Sequence, residues 1–284
     1  MPEGDTIFRA ARSLHRVLAG HPVTRFETAY AHLDRVNVDT PIVGRIIERI
    51  ESAGKHILMR FSGDLILRTH MRMNGSWHLY RHGEKWWRGE HAMRVRIDTA
   101  GWVAVAFNVP VAEFVTPRQL ETRGPVAELG PDLLGQAFDR DEAVRRIVAS
   151  GHRAIANTLL DQRIVAGIGN VYKSEVLFLS GVHPEVPSSA VAQATLEQMM
   201  DVARGLLADN VKDGTSGQIQ TYRSLRQWNK ASEHDDSVWV YGRRGKPCRK
   251  CGTPIEMKKM GLEARSTYWC PSCQPYRRQS TAGR

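Results

Sequence analysis

Cysteine is scarce in this chain. Its 284 residues include four, and none precedes Cys248. A disulfide framework is therefore excluded for most of the polypeptide. Long apolar runs are missing too. None approaches the roughly 18 residues that cross a bilayer, and Met1–Gly20 carries Glu3 and Asp5 where an export signal would be uncharged. These absences predict a cytoplasmic protein. No segment repeats, which excludes solenoids and propellers. Acidic residues are nearly lacking at the end of the chain: Tyr241–Arg284 sets eleven Lys and Arg against Glu256 and Glu263, and so holds almost all of the net charge of +10. A segment this basic favours a polyanionic partner, nucleic acid first.

What is present begins with those cysteines. Cys248 and Cys251 form one CxxC pair and Cys270 and Cys273 another, with eighteen residues between the pairs. This is the spacing of a structural zinc site. Each knuckle supplies two soft ligands from one tight turn, and four thiolates fill the tetrahedron. The expectation is one structural Zn2+ per chain, with no position left open for catalysis and no organic cofactor.

Along the chain, Ile7, Phe8, Ala11, Leu14, Val17 and Leu18 recur at helical spacing, predicting a helix over 6–19 capped by Asp5 or Thr6. From about 22 to 117 the texture is short apolar runs with period-two alternation, punctuated by Gly, Asn and Asp. Six or more such strands predict a β-sandwich or closed sheet. After Pro125 the pattern predicts four helices: DRDEAVRRIVAS, HRAIANTLLDQ, NVYKSEVLFLSG and SSAVAQATLEQMMDVARGLLADN. A polar loop at 212–236 is expected to be mobile. The predicted organisation is residues 1–125, a β-domain; 126–236, a helical domain; 237–275, a zinc finger; and 276–284, a frayed tail.

Four features carry chemistry. The start, Met1-Pro2-Glu3-Gly4-Asp5, leaves a free secondary amine on Pro2 once the initiator methionine is removed. An α-amine has a pKa of about 8, well below that of lysine. It can attack C1′ of a nucleotide, expel the base and form an iminium that permits elimination of the 3′ phosphate. Glu3 is placed to transfer protons. Lys55, in Ser52-Ala53-Gly54-Lys55-His56, stands on a predicted hairpin tip where it can reach a phosphate, or lower the amine pKa by like-charge proximity. Asn170 follows Gly167 and Gly169 at a predicted helix start, a place suited to phosphate. Arg265 lies within the finger, where an arginine can enter a minor groove.

Taken in order along one chain, MPEGD, GKH, LLDQRIVAGIGNVYKSE, VYGRRGKPCRKCGTPI and RSTYWCPSCQ resemble the formamidopyrimidine-DNA glycosylase / endonuclease VIII family, from Pro2 to about Gln274. The resemblance implies an α+β multidomain fold: an N-terminal β-sandwich with a leading helix, a helix–two-turn–helix domain and a C-terminal zinc finger, gripping damaged double-stranded DNA. It implies a bifunctional glycosylase and abasic-site lyase of base excision repair, with Pro2 as nucleophile, Glu3 as general acid/base, and Lys55, Asn170 and Arg265 on phosphates. Met73, in His70-Met71-Arg72-Met73-Asn74-Gly75, resembles the wedge methionine that fills the gap left by a flipped nucleotide, with strand packing as the rival reading. FNVPVAEF contains no match to the other gap-filling residues. The MPEGD start resembles the endonuclease VIII branch and oxidised pyrimidines, whereas Asp213-Gly214-Thr215-Ser216-Gly217 to Tyr222-Arg223 loosely resembles the lesion-covering loop of the oxidised-purine branch. Two rivals from different classes are a non-catalytic zinc DNA-binding protein, which would give Pro2-Glu3 no purpose, and a lyase confined to abasic sites. A monomer and a nucleoid-associated location are expected.

Overall fold

The computed structural model describes residues 2–212, 219–222 and 237–276. The predicted loop at 212–236, the lesion-loop resemblance and the predicted tail fall mostly or wholly outside them. The chain divides into two compact units, Met1–Glu128 and Leu129–Arg284.

The first unit opens with α1 (Gly4–Leu18). The helix starts earlier than its apolar spacing predicts, and the cap is neither Asp5 nor Thr6. Glu3 occupies the N-cap in extended conformation, and its carbonyl accepts from the amide of Ile7 at 3.0 Å. Ile7, Ala11, Leu14 and Leu18 form the buried stripe; the three larger side chains contribute roughly 1.5–3 kcal/mol each through burial. Then follow β1 (Arg25–Thr28), α2 (Ala31–Asp39), β2 (Ile47–Ala53), β3 (His56–Phe61), β4 (Leu65–His70), β5 (Ser76–Tyr80), β6 (Met93–Asp98), β7 (Val103–Phe107), β8 (Val111–Val115) and α3 (Pro117–Thr122).

The strands form two antiparallel four-stranded sheets, ordered β1-β6-β7-β5 and β2-β3-β4-β8. One core joins them: Phe26, Val95, Ile97 and Ala106 from the first sheet meet Ile57, Met59, Phe61 and Leu67 from the second, with α1 packed on the same cluster. This is a β-sandwich with a leading helix. The opposite faces are partly covered as well. Leu58 and Ile66 pack against Leu120 of α3, and Val103, Val105 and Phe107 pack with Tyr80 and Trp86. That double coverage is why β3, β4 and β7 read as nearly continuous apolar runs rather than clean alternation.

The second unit contains α4 (Arg140–Ala149), α5 (Ile155–Thr158), α6 (Asn170–Leu179), α7 (Gln193–Asn210) and a hairpin of β9 (Glu256–Met260) and β10 (Arg265–Trp269). The helix expected over HRAIANTLLDQ is a single turn, α5, because Asp161 draws the chain into a turn by accepting from the Arg163 amide and binding the Arg153 and Arg163 guanidiniums. The last helix begins at Gln193, after a separate turn at Ser188–Ala190. The core of the helices includes Met260 of the finger. The finger also has a cluster of its own, in which Cys248, Cys270, Ile255 and Val240 pack on Phe178 of α6.

Candidate active site and nucleic-acid interface

Pro2 is half-buried, and the Glu3 side chain beside it is fully buried at the start of α1. A carboxylate there meets the positive end of the helix dipole. Asp5, two residues further in, is buried and pairs with Arg9 at 3.3 Å. The N-terminus is thus anchored by a helix whose apolar stripe is locked into the sandwich.

Lys55 and Gly54 make the two-residue turn between β2 and β3, closed by the Ala53–His56 pair. Gly54 has a φ of 55°, the left-handed conformation that glycine adopts at least cost. Behind the turn lie two histidines with rings 4.7 Å apart, His56 and His70. Burial, then the neighbouring His70 and the charge of Arg68, hold His56 down at about 3. Burial and then the charge of Lys55 bring His70 to about 4. Arg68 donates to His56 Nδ1 at 3.0 Å and to Glu113 at 2.6 Å. Both rings are uncharged at neutral pH, so the Lys55 ammonium has no imidazolium behind it.

Met73 sits at the tip of a turn in which Gly75 is required: a Cβ there would lie 2.5 Å from the Met71 carbonyl oxygen. Met71 is buried and Met73 is 55% exposed. The strand-packing reading of Met73 is therefore set aside.

In the second unit Gln162 shapes the turn that leads to Asn170. Its amide donates to the carbonyls of Leu160 and Ile168, both at 3.0 Å, and accepts from the amide of Gly167 at 3.0 Å. Asn170 is the first residue of α6, after Gly169 at the N-cap. Its Oδ1 accepts from the Lys173 ammonium at 2.7 Å. Lys173 is itself buried and also donates to Thr267 Oγ1 at 2.7 Å and the Ser266 carbonyl at 3.2 Å, on β10. With Oδ1 committed inward, the Asn170 group left uncommitted by that contact is Nδ2–H. Two residues beyond Lys173, the buried Glu175 accepts from the amides of Trp239 at 2.8 Å and of Val240 and Tyr241 at 2.9 Å, and from the Thr221 hydroxyl. Arg265 begins β10, half-buried, and pairs with the exposed Glu263 at 2.6 Å. A solvent-exposed pair of this kind contributes little to stability.

Sequence reasoning does not single out Lys173 or Glu175. A signal exists all the same: two charges, at i and i+2, inside NVYKSEVLFL point to different sides of a helix whose other residues leave almost no polar face.

The four cysteine sulfurs lie within 4.8 Å of one another, with Cys251 Sγ 3.5 Å from both Cys270 Sγ and Cys273 Sγ and Cys248 Sγ 3.9 Å from Cys273 Sγ. Zinc–sulfur bonds of about 2.3 Å arranged tetrahedrally place sulfurs roughly 3.8 Å apart. The donor set fits the ion in both chemistry and size. Backbone amides of Lys250 and Cys273 approach Cys248 Sγ and Cys270 Sγ at 3.4 and 3.5 Å.

Comparison with known proteins matches three family models along the chain: the formamidopyrimidine-DNA glycosylase N-terminal domain over residues 1–121, the formamidopyrimidine-DNA glycosylase H2TH domain over 129–221, and a zinc finger found in FPG and IleRS over 245–275. The chain is 39% identical over 280 residues to a probable endonuclease 8 2 of Streptomyces coelicolor, covering 96% of this chain and 94% of the relative. It is 33% identical over 278 residues to the DNA-(apurinic or apyrimidinic site) lyase Nei2 of Mycolicibacterium smegmatis, covering 96% and 99%. In fold it is similar to Lactococcus lactis Fpg, solved in complex with DNA containing an abasic site, with a TM-score of 0.80, 24% identity and coverage of 96% and 100%. Among the described residues no helix is long and apolar enough to cross a membrane.

Proposed function

Since the chain belongs to the formamidopyrimidine-DNA glycosylase / endonuclease VIII family, and is by that membership a DNA-binding, zinc-finger glycosylase with abasic-site lyase activity, we propose that Pro2 is its nucleophile and Glu3 its proton-transfer group. The observation that carries this reading is the buried Glu3 carboxyl at the N-cap of α1, immediately beside Pro2.

With the initiator methionine removed, the Pro2 nitrogen forms a bond to C1′ of an extruded nucleotide while the bond from C1′ to the base breaks. The base leaves with a proton. The C1′–O4′ bond of that adduct then breaks as Glu3 gives O4′ a proton, which opens the sugar and leaves an iminium between C1′ and the Pro2 nitrogen. The iminium makes the adjacent C2′ proton acidic; its removal expels the 3′ phosphate, and water adds to C1′ to release the amine. Lys55 contributes a positive charge that holds phosphate, and Asn170 and Arg265 hold further phosphates of the backbone. Met73 fills the space left in the stack. One zinc ion per chain, held by Cys248, Cys251, Cys270 and Cys273, would keep the β9–β10 hairpin in shape without joining the reaction. The chain acts as a monomer on one duplex.

The preferred lesion is an oxidised pyrimidine, on the resemblance of the N-terminal motif and of relatives carrying the endonuclease 8 name. Borohydride trapping on duplexes bearing thymine glycol, 8-oxoguanine or an abasic site tests both claims. A cross-link that mass spectrometry places on Pro2, formed fastest with thymine glycol, is expected. Pro2→Gly should abolish trapping and spare binding. Trapping that survives the substitution refutes the nucleophile, and faster trapping on 8-oxoguanine moves the chain to the purine branch.

A further inference from the structure

The segment between β5 and β6, Arg81–Ala92, contains two adjacent tryptophans that the mechanism leaves unused. Trp86 turns inward against Phe107, with centroids 5.7 Å apart. Trp87 turns outward and is 66% exposed. The segment is not loosely held, since the Trp87 amide donates to the Tyr80 hydroxyl at 3.1 Å. An exposed indole on a pinned backbone has lost much of its ordering entropy before any ligand arrives.

Beside it stands Arg88, whose guanidinium carbon lies 4.4 Å from the Trp87 ring centroid. Among the described residues this guanidinium has no carboxylate and no hydrogen-bond acceptor, and its Nε is buried. An unsatisfied buried donor is costly, and the Arg88 side chain that bears it helps to line an open groove of about 540 Å³, together with Met73, Asn74, His78, Trp87 and Asn108. The Asn74 and Asn108 side chains make no hydrogen bond among the described residues, so their carboxamides can serve both edges of a ligand. The His78 ring lies tilted against Trp87, centroids 5.1 Å apart and planes at 33°, and burial and Arg88 lower its pKa. The groove therefore holds one fixed positive charge, a planar stack and neutral amide groups.

That combination suits a flat, polar heterocycle attached to a phosphate chain. We propose that the Trp87–Arg88 stack is a docking ledge for an unstacked nucleobase of the bound duplex, with Asn74 and Asn108 pairing to its edge. Bases stack on aromatic and guanidinium planes alike, and Met73 in the same groove is the side chain placed to part them from the helix. This inference rests on the glycosylase reading, which requires DNA to be opened. Asn108 is the contribution of FNVPVAEF to this groove.

The test measures affinity of the full zinc-loaded chain for a duplex carrying a tetrahydrofuran abasic analogue, for the unaltered protein, Trp87→Ala and Trp87→Phe. Stacking of one base predicts that Trp87→Ala weakens binding roughly tenfold, and that Trp87→Phe restores most of it. Repeating the comparison with the base opposite the analogue removed, then with each flanking base removed, locates the ligand: the ratio should collapse to one on the duplex that lacks the docked base. A ratio of one on the parent duplex overturns the proposal. So does a ratio that stays the same on every duplex, since Trp87 would then touch backbone only. Borohydride trapping of the unaltered chain on abasic DNA reports the Pro2 chemistry separately, so either reading can fail without the other.

Discussion

Replacing Lys173 by methionine keeps the stem and removes the ammonium. Three acceptors then lose a donor: Asn170 Oδ1, Thr267 Oγ1 and the Ser266 carbonyl. Leaving a buried polar group unsatisfied costs about 1–3 kcal/mol. The Thr267 hydroxyl can turn to another partner, and the desolvation cost of burying an ammonium, itself several kcal/mol, disappears. The difference is a net destabilisation of about 2–3 kcal/mol in the second unit. A second effect is functional. Without the ammonium the Asn170 amide loses the contact that fixes its oxygen inward, so the NH2 proposed to bind a phosphate is no longer held in one orientation; loss of one such hydrogen bond would lower DNA affinity roughly three- to tenfold. Urea unfolding of the zinc-loaded protein, followed by tryptophan fluorescence, measures the first effect. Binding to an abasic-analogue duplex, in urea-free buffer at a temperature where the variant is folded, measures the second. An unchanged midpoint would show that the lysine is incidental. A lowered midpoint with unchanged affinity would show that Asn170 orients without it.

Glu175→Gln turns a four-point acceptor into a group with one oxygen and one NH2, and the NH2 would face backbone amides of Trp239, Val240 or Tyr241. We expect loss of about 3 kcal/mol or more and faster release of zinc to a chromogenic chelator; identical release rates would refute the coupling. The His56 ring predicts acid sensitivity. Its folded pKa of about 3 lies below the ordinary 6.5, so below pH 6.5 the unfolded chain takes up a proton that the folded chain refuses. The stability is complete above 6.5 and is lost as pH falls toward 3, amounting to about 2 kcal/mol by pH 5. Unfolding curves at pH 7 and pH 5 should therefore differ less in His56→Gln than in the unaltered protein; equal differences would refute the assignment.

Much of this molecule is legible in order along the chain. The stripe of α1 follows from burial on one face, which periodicity reports directly, and the sandwich strands show as short apolar runs bounded by turn residues. The cysteines are legible because ligand softness and spacing are local properties. Helix α2 is not: only Leu33 of Ala31–Asp39 is buried, so no stripe distinguishes it from the surrounding strands. The cap of α1 is misread from sequence because extended Glu3 carries no side-chain cap bond, and a carboxylate in the first turn looks like a cap. Lys173 is hidden for a different reason. Its partners on β10 are 93 and 94 residues away, and those of Glu175 in the Trp239–Tyr241 segment are 64 to 66 away. A charge becomes interior only when distant backbone arrives to meet it. Trp87 stands in plain view, but a tryptophan pair gives no sign of which ring turns outward.

The Lys173 ammonium has one hand on a metal-held hairpin and the other on the residue expected to grip DNA. Linkage makes such an arrangement reciprocal. If loading the four cysteines steadies β10, and β10 steadies Lys173 and Asn170, then a bound phosphate returns the favour and the metal leaves more slowly from the engaged protein. A chain at rest would be the one exposed to zinc starvation, and a chain at work on a lesion would be protected by its own substrate.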